Sequence, residues 1–191
     1  MEKAAIGKVI SPRRSPLLRW VEEESGQRVR RCYQCGKCSA GCPLSYAMDW
    51  SPRQVIRALQ LGLDEEALSS SAIWLCANCF TCTIRCPLEI DVAKVMEALR
   101  HKALAEGKPL GEKQIPLFYR IFNAEVKRWA RTYELGLGFF HTLASRRFLA
   151  NARHLPGLLA RGRLSFLPPL TKGRRKVGAI FEKATAQSKE K

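Results

Sequence analysis

A mainly α-helical chain is predicted by three features of this 191-residue sequence. Apolar residues recur at helical spacing, caps and stops bracket those stripes, and period-2 alternation is nearly missing. A composition of 46% hydrophobic and 26% charged residues lies near the globular average, which argues against a disordered or fibrous chain. Ser51 and Pro52 supply a cap and first turn, followed by Val55, Ile56 and Leu59 at helical spacing and Gly62 as a stop. Asp64 is expected to cap a further turn through Glu65, Glu66, Ala67 and Leu68, with its acids placed against the N-terminal dipole. Asp91 caps the strongest stripe, Val92, Val95, Met96, Leu99 and Ala103, which ends at Gly107. Residues 115–130 and 135–149 carry two more helical patterns. Pro156, Gly157, Pro168 and Pro169 then break the chain, and residues 172–176 together with the closing AQSKEK read as solvated and partly mobile. Residues 5–10 and Val29–Arg31 are weak strand candidates.

Charge is distributed unevenly. The chain carries a net +16, but residues 1–31 contribute +4, residues 32–90 contribute −1 and residues 91–191 contribute +13. All eight cysteines fall in the near-neutral middle. The expected organisation is a basic N-terminal arm over 1–31, a cysteine-bearing domain over 32–106, and a basic helical extension over 107–191 that docks a partner.

Cys32, Cys35, Cys38 and Cys42 are followed by Pro43, and Cys76, Cys79, Cys82 and Cys86 by Pro87. Both groups read C-x₂-C-x₂-C-x₃-C-P, the run of two-cluster ferredoxins. Three thiolates spaced by two residues wrap one face of a cubane, while the fourth, set off by three residues and a proline, reaches the neighbouring cluster. The pairing expected is Cys32, Cys35, Cys38 and Cys86 on one 4Fe-4S cluster, and Cys76, Cys79, Cys82 and Cys42 on the other. Structural zinc takes two CxxC-type pairs and would leave this pattern unexplained. Disulfides need an oxidising compartment and a pairwise geometry that three closely spaced cysteines do not offer. Gly36 and Gly41 allow close backbone approach in the first run, where the second has Asn78 and Thr81 as side-chain donors, so the two clusters should differ in reduction potential. Trp74, Phe80 and Ile84 are expected to form a dry shell around the second cluster, and Lys37 and Arg85 lie inside the ligand runs.

The 33 residues between Cys42 and Cys76 carry helix signals, and Ala72-Ile73-Trp74-Leu75 leads into the second run. An α-helical ferredoxin-type dicluster domain is therefore expected in place of the compact strand-built kind. The segments RCYQCGKCSAGCP, SPRQVIRAL, WLCANCFTCTIRCP and IDVAKVMEALR resemble the C-type iron-sulfur subunit of heterodisulfide reductase over residues 29–106. The similarity extends over 158–183 to that family's basic, Pro-containing C-terminus. The resemblance implies a relay: a flavin-bearing A-like subunit delivers electrons, two 4Fe-4S clusters carry them, and a B-like subunit with non-cubane clusters cleaves a disulfide. Iron-sulfur subunits of anaerobic glycerol-3-phosphate dehydrogenase and glycolate oxidase share related double motifs. They continue into a domain with CCG motifs, and this chain has no CCG and no ninth cysteine.

Two fully ligated cubanes leave no open iron for a substrate and no cysteine as nucleophile. His101, His141 and His154 lie away from the motifs, so no catalytic centre of the chain's own is expected. Two oxidised clusters with their thiolates carry −2 each, which lowers the formal charge to about +12. The basic tail lacks a nucleic-acid recognition motif, and a protein partner in a hetero-oligomer is expected rather than nucleic acid. The longest apolar run, 135–143, is too short to span a bilayer, so direct membrane insertion is not expected. The N-terminal sequence shows no apolar core with a small-residue cleavage site, and a cytoplasmic location is the corresponding expectation.

Overall fold

The computed structural model describes residues 15–107, 113–145, 171 and 173–189, and the chain divides into two compact units, 1–112 and 113–191. Among the described residues there is no strand. The mainly α-helical class holds; the expected strand candidate at Val29–Arg31 is a turn of 3-10 helix instead. Residues 5–10 lie outside the described residues.

Among its described residues the first unit has seven α-helices: α1 Pro16–Ser25, α2 Lys37–Ala40, α3 Pro52–Leu61, α4 Asp64–Ser69, α5 Ala72–Leu75, α6 Thr81–Ile84 and α7 Val92–Ala105. Helix α1 was not marked by the sequence pattern. Ser15 caps it by accepting the Leu18 N–H at 2.9 Å, and Pro16 stands in its first turn. Its Leu17, Leu18 and Val21 are buried, and it packs on α3 and α7. Helix α3 begins as expected, with the Ser51 N–H and hydroxyl both donating to Gln54 Oε1 at 2.8 Å. Gly62, at φ 72, terminates it in the left-handed region that favours glycine. Asp64 is the first residue of α4 rather than its cap, because Leu63 occupies the cap and Asp64 accepts the Ser15 hydroxyl at 2.7 Å. Asp91 caps α7 by accepting the Lys94 N–H at 3.2 Å.

The core of this unit lies between α1, α3, α4, α5 and α7 and contains Leu18, Ile56, Leu59, Ile73, Met96 and Leu99, all fully buried. Removal of such side chains from water contributes about 1.5–3 kcal/mol each. Helices α3 and α7 present the same stripe: Pro52, Val55, Ile56, Ala58 and Leu59 are buried on one, Val92, Val95, Met96, Ala98 and Leu99 on the other. These positions correspond one for one, and the cysteine run that precedes each helix repeats as well.

The second unit contains α8 Gln114–Trp129, α9 Glu134–Ser145 and α10 Arg174–Lys189. The patterns at 115–130 and 135–149 thus correspond to α8 and α9, with 146–149 outside the described residues. Ala130, at φ 59, closes α8, and α9 folds back on it. Phe118 stacks on Phe122 and meets His141 of α9 edge-on, with centroids 6.1 Å apart. Gly136 is required at this crossing, since a Cβ there would collide with Tyr133 Cδ1 and stand 2.6 Å from Glu125 Oε1. Residues 173–176 are exposed, in line with the solvated stretch expected there, and 174–176 together with 186–189 belong to a helix. Arg, Lys, Ala and Glu favour helix, and Val177 and Phe181 are half-buried. Helix α10 packs on α8, with the Arg174 guanidinium 4.9 Å from the centre of the Trp129 ring. Pro156, Gly157, Pro168, Pro169 and His154 lie outside the described residues.

Candidate metal centre

Each cysteine run enters from a turn of helix and leaves through another. The Cys32 N–H donates to Val29 O at 3.1 Å at the end of the 3-10 turn, and the Cys76 N–H donates to Ala72 O at 3.1 Å at the end of α5. Two residues on, Gln34 (φ 64) and Asn78 (φ 51) turn the chain left-handed, and Gly36 (φ 82) and Phe80 (φ 58) do so again. Such left-handed steps curl successive N–H groups into a concave surface suited to an anion. The single turns α2 and α6 follow, carrying Cys38 and Cys82. The Cys42 N–H then donates to Ser39 O and the Cys86 N–H to Thr83 O, each at 3.2 Å.

Side chains fix both loops to the helices behind them. Ser39 Oγ accepts the Arg53 N–H at 2.9 Å, joining α2 to the start of α3, and the Thr83 hydroxyl donates to Asp91 Oδ1 at 2.8 Å, joining α6 to the cap of α7. Asp49 holds the entry to α5, where Oδ1 accepts the Ser70 hydroxyl at 2.7 Å and Oδ2 the Ser71 N–H at 2.9 Å. Burial works against the Asp49 charge, but these bonds and that from the Trp50 N–H keep its carboxyl below the usual range.

The folded loops line two small cavities. The first is lined by Cys32, Cys35, Cys38 and Cys86 with Ile56, Ile90 and Val92. The second is lined by Cys42, Cys76, Cys79 and Cys82 with Phe80, Val92 and Met96. Val92 touches both, so the two are neighbours across one side chain. None of the eight cysteines forms a disulfide, and Cys35 and Cys79, one in each cavity, are exposed. Phe80 lines the second cavity, but Ile84 is 84% exposed and cannot shield it. Trp74 is buried in the protein core. Lys37 and Arg85 are exposed, and Arg85 lies across Gly41, where a Cβ would stand 2.7 Å from its Nη1. His101 is exposed and His141 packs on Phe118, so neither joins the thiols.

The electrostatics of the thiols suit ligands that a metal must deprotonate. Burial pushes Cys38 and Cys76 up and Cys82 up to about 11. Cys79 is instead pushed down, because the Thr81 hydroxyl, 3.5 Å from its sulfur, and the Thr81 N–H favour the thiolate. The Gln34 Nε2 lies 3.6 Å from Cys32 Sγ, and the Asn78 side-chain oxygen lies 3.5 Å from Cys76 Sγ. Among the described residues no three His, Cys, Asp or Glu side chains converge on the position of a single ion. Four thiols around an apolar cavity, with backbone N–H groups such as that of Ile90 donating to a cysteine sulfur, fit a group that is larger, sulfur-bearing and anionic.

Residues that sequence reasoning missed are Gln60 and Arg100. Gln60 Nε2 donates to Cys32 O at 2.8 Å and to Val29 O at 3.3 Å. Arg100 donates through Nε to Ile73 O and through Nη2 to Cys76 O. Their place one residue beyond the leucine of each matching stripe is a signal, visible once the two helices are aligned.

The 4Fe-4S dicluster domain family matches residues 28–90. The chain is 38% identical over 86 residues to the C-type iron-sulfur subunit of the CoB–CoM heterodisulfide reductase of Methanopyrus kandleri, covering 45% of either chain. It is 40% identical over 77 residues to the C-type subunit of the ferredoxin:CoB-CoM heterodisulfide reductase of Methanosarcina acetivorans, 40% of this chain and 31% of that one. It is 35% identical over 96 residues to a protein of Archaeoglobus profundus described as similar to the C-type heterodisulfide reductase subunit, half of each chain. The chain spans about half the length of the curated relatives it matches, or less. These matches bear out the resemblance to the C-type subunit and the presence of two 4Fe-4S clusters.

Proposed function

We propose that the protein is an electron-relay subunit of a heterodisulfide reductase-type complex, taking electrons from an A-like flavin subunit and passing them to a B-like disulfide-reducing subunit. The observation that carries this reading is the pair of adjoining four-thiol cavities, each with one cysteine at the surface. When bound, the clusters supply reversible one-electron uptake without making or breaking bonds in a substrate. Cys32, Cys35, Cys38 and Cys86 are the proposed ligands of one cluster, and Cys42, Cys76, Cys79 and Cys82 of the other. The crosswise sharing supports rigidity, since neither loop can move without disturbing both sites. The exposed thiols Cys35 and Cys79 suit entry and exit of electrons by contact with a partner, and Tyr33, Tyr46, Phe80 and Ile84 put exposed apolar surface on the same unit.

The wall formed by Ile56, Ile90, Val92 and Met96 excludes water from the inner faces of the cavities, which keeps electrons from leaking to solvent. The basic extension, residues 107–191, is proposed to dock an acidic surface of a partner subunit. Among the described residues no helix is long and apolar enough to cross a membrane. The proposed location is the cytoplasm. A relay serving a glycerol-3-phosphate or 2-hydroxy-acid dehydrogenase would use the same clusters with different neighbours.

Anaerobic affinity purification of the full chain from its own source tests the assignment. Co-purification of A-like and B-like subunits, with reduction of this protein's clusters by the flavin subunit, is the expected result. Recovery of a dehydrogenase with a CCG-type domain would transfer the relay to the other class.

A further inference from the structure

The two halves of the first unit follow one plan, so each half serves as a control for the other. Both loops are gripped at the same two carbonyls, that of the first cysteine and that of the residue three before it. Both grips come from a half-buried side chain one residue beyond the corresponding leucine, Leu59 or Leu99. Gln60 grips the first loop and is neutral; Arg100 grips the second and carries a fixed positive charge at every accessible pH.

Other charges near the cavities do not cancel this difference. Lys37 and Arg53 stand beside the first loop, Arg57 donates to Gln60 Oε1 at 3.3 Å, and Arg85 lies beside Gly41, but all four are exposed and screened by solvent. Arg85, moreover, favours neither cavity, since it lies over Gly41 beside Cys42 of the second and adjoins Cys86 of the first. Arg100 donates through Nη2 to the carbonyl of Cys76, which places its charge beside a cysteine of the second cavity, and the Thr81 hydroxyl lies 3.5 Å from the Cys79 sulfur. At the matching position in the first loop stands Lys37, whose side chain is exposed.

We propose that Arg100 makes the cluster in the cavity of Cys42, Cys76, Cys79 and Cys82 the more easily reduced of the two, so that a single electron entering the protein rests there. This rests on the ligand sets proposed above. In the step concerned a low-potential one-electron donor loses one electron and one cubane core passes from 2+ to 1+, with no bond changed and no proton needed for balance. A positive charge held in a partly buried place stabilises the added negative charge more than the exposed, solvent-screened cations beside the first loop do. Arg100 is a positioning residue with an electrostatic consequence.

The test is an anaerobic reductive titration of the full holo chain, followed by EPR, with dithionite as donor. A Cys79→Ser variant marks the second-cavity signal by changing one ligand. In the unaltered protein that signal should appear first. Arg100→Gln should lower the equilibrium constant for reducing that cluster about tenfold, which for one electron is about 59 mV, and leave the other within error. Arg100→Lys should keep the order, and Gln60→Arg should raise the first-cavity cluster by a similar factor. If Arg100→Gln does not retain its clusters, the order of reduction in the unaltered protein and the Gln60→Arg shift decide. First reduction of the other cluster, or equal shifts at both, overturns the proposal. EPR of the cysteine variants separates this failure from a failure of the ligand sets, because the latter appears there as loss of the wrong cluster's signal.

Discussion

Gly36 and Phe80 occupy the same place in the two cysteine runs, and both adopt left-handed backbone, at φ 82 and φ 58. Only glycine does so without strain, so the first loop is relaxed at this step and the second is not. Gly36→Ala would meet nothing closer than Arg53 Cδ at 3.8 Å, which isolates the backbone effect. That variant is expected to lose about 1–2 kcal/mol in the conformation of the first loop and to release the first-cavity cluster faster. Timed iron release to a chelator, compared between the two EPR signals, checks it. The eight cysteines were legible in the sequence because their spacing alone sets them apart. Gln60 and Arg100 were not, because a long side chain reaching carbonyls of a remote segment leaves no local pattern. Ile84 misled for the opposite reason: its type suits a dry wall, but its position on the single turn α6 faces solvent.

At the scale of elements, α3 and α7 were legible from caps, stripe and glycine stop, because all three signals agreed. Ser15 followed by Pro16 is the same start signal as Ser51 followed by Pro52, and Leu17, Leu18 and Val21 repeat the spacing of Val55, Ile56 and Leu59, but the three glutamates that follow cut the stripe short. Val29–Arg31 resembled a strand in composition, but the Cys32 N–H and the Gln60 side chain tie its carbonyls into a turn. In the second unit, Glu125 is buried where α8 meets α9, accepts the Tyr133 N–H at 3.1 Å through Oε2, and leaves Oε1 without a partner. Burial pushes its carboxyl up. The folded unit therefore holds this proton to a higher pH than the unfolded chain does. The contribution of protonated Glu125 is fully present below the usual carboxylate range and is lost as pH rises through the raised value. Glu125→Gln should slow hydrogen exchange across residues 114–145 at neutral pH and bring no gain near pH 4, roughly where an unperturbed carboxyl titrates. Equal exchange in both proteins at neutral pH would contradict that account of the burial.

The whole molecule joins a duplicated, near-neutral cluster unit to a strongly basic extension. Duplication of the cysteine run was evident from the sequence, whereas duplication of the helix behind it emerged only when the burial of Pro52 through Leu59 was set against that of Val92 through Leu99. The linkers between run and helix differ in length, which hides the register from a reading of the chain alone. Each run lends its last cysteine to the cavity of the other, so the halves are interlocked, and the central claim is that this interlocking places two cubanes side by side as a relay. Iron and sulfide analysis with EPR of anaerobically prepared Cys42→Ala tests that claim most directly. The unaltered protein should carry about eight iron and eight sulfide, and the variant should lose the signal associated with Cys76, Cys79 and Cys82 while keeping the other. Loss of the cluster bound by Cys32, Cys35 and Cys38 in its place, or about four iron in the unaltered protein, would contradict it.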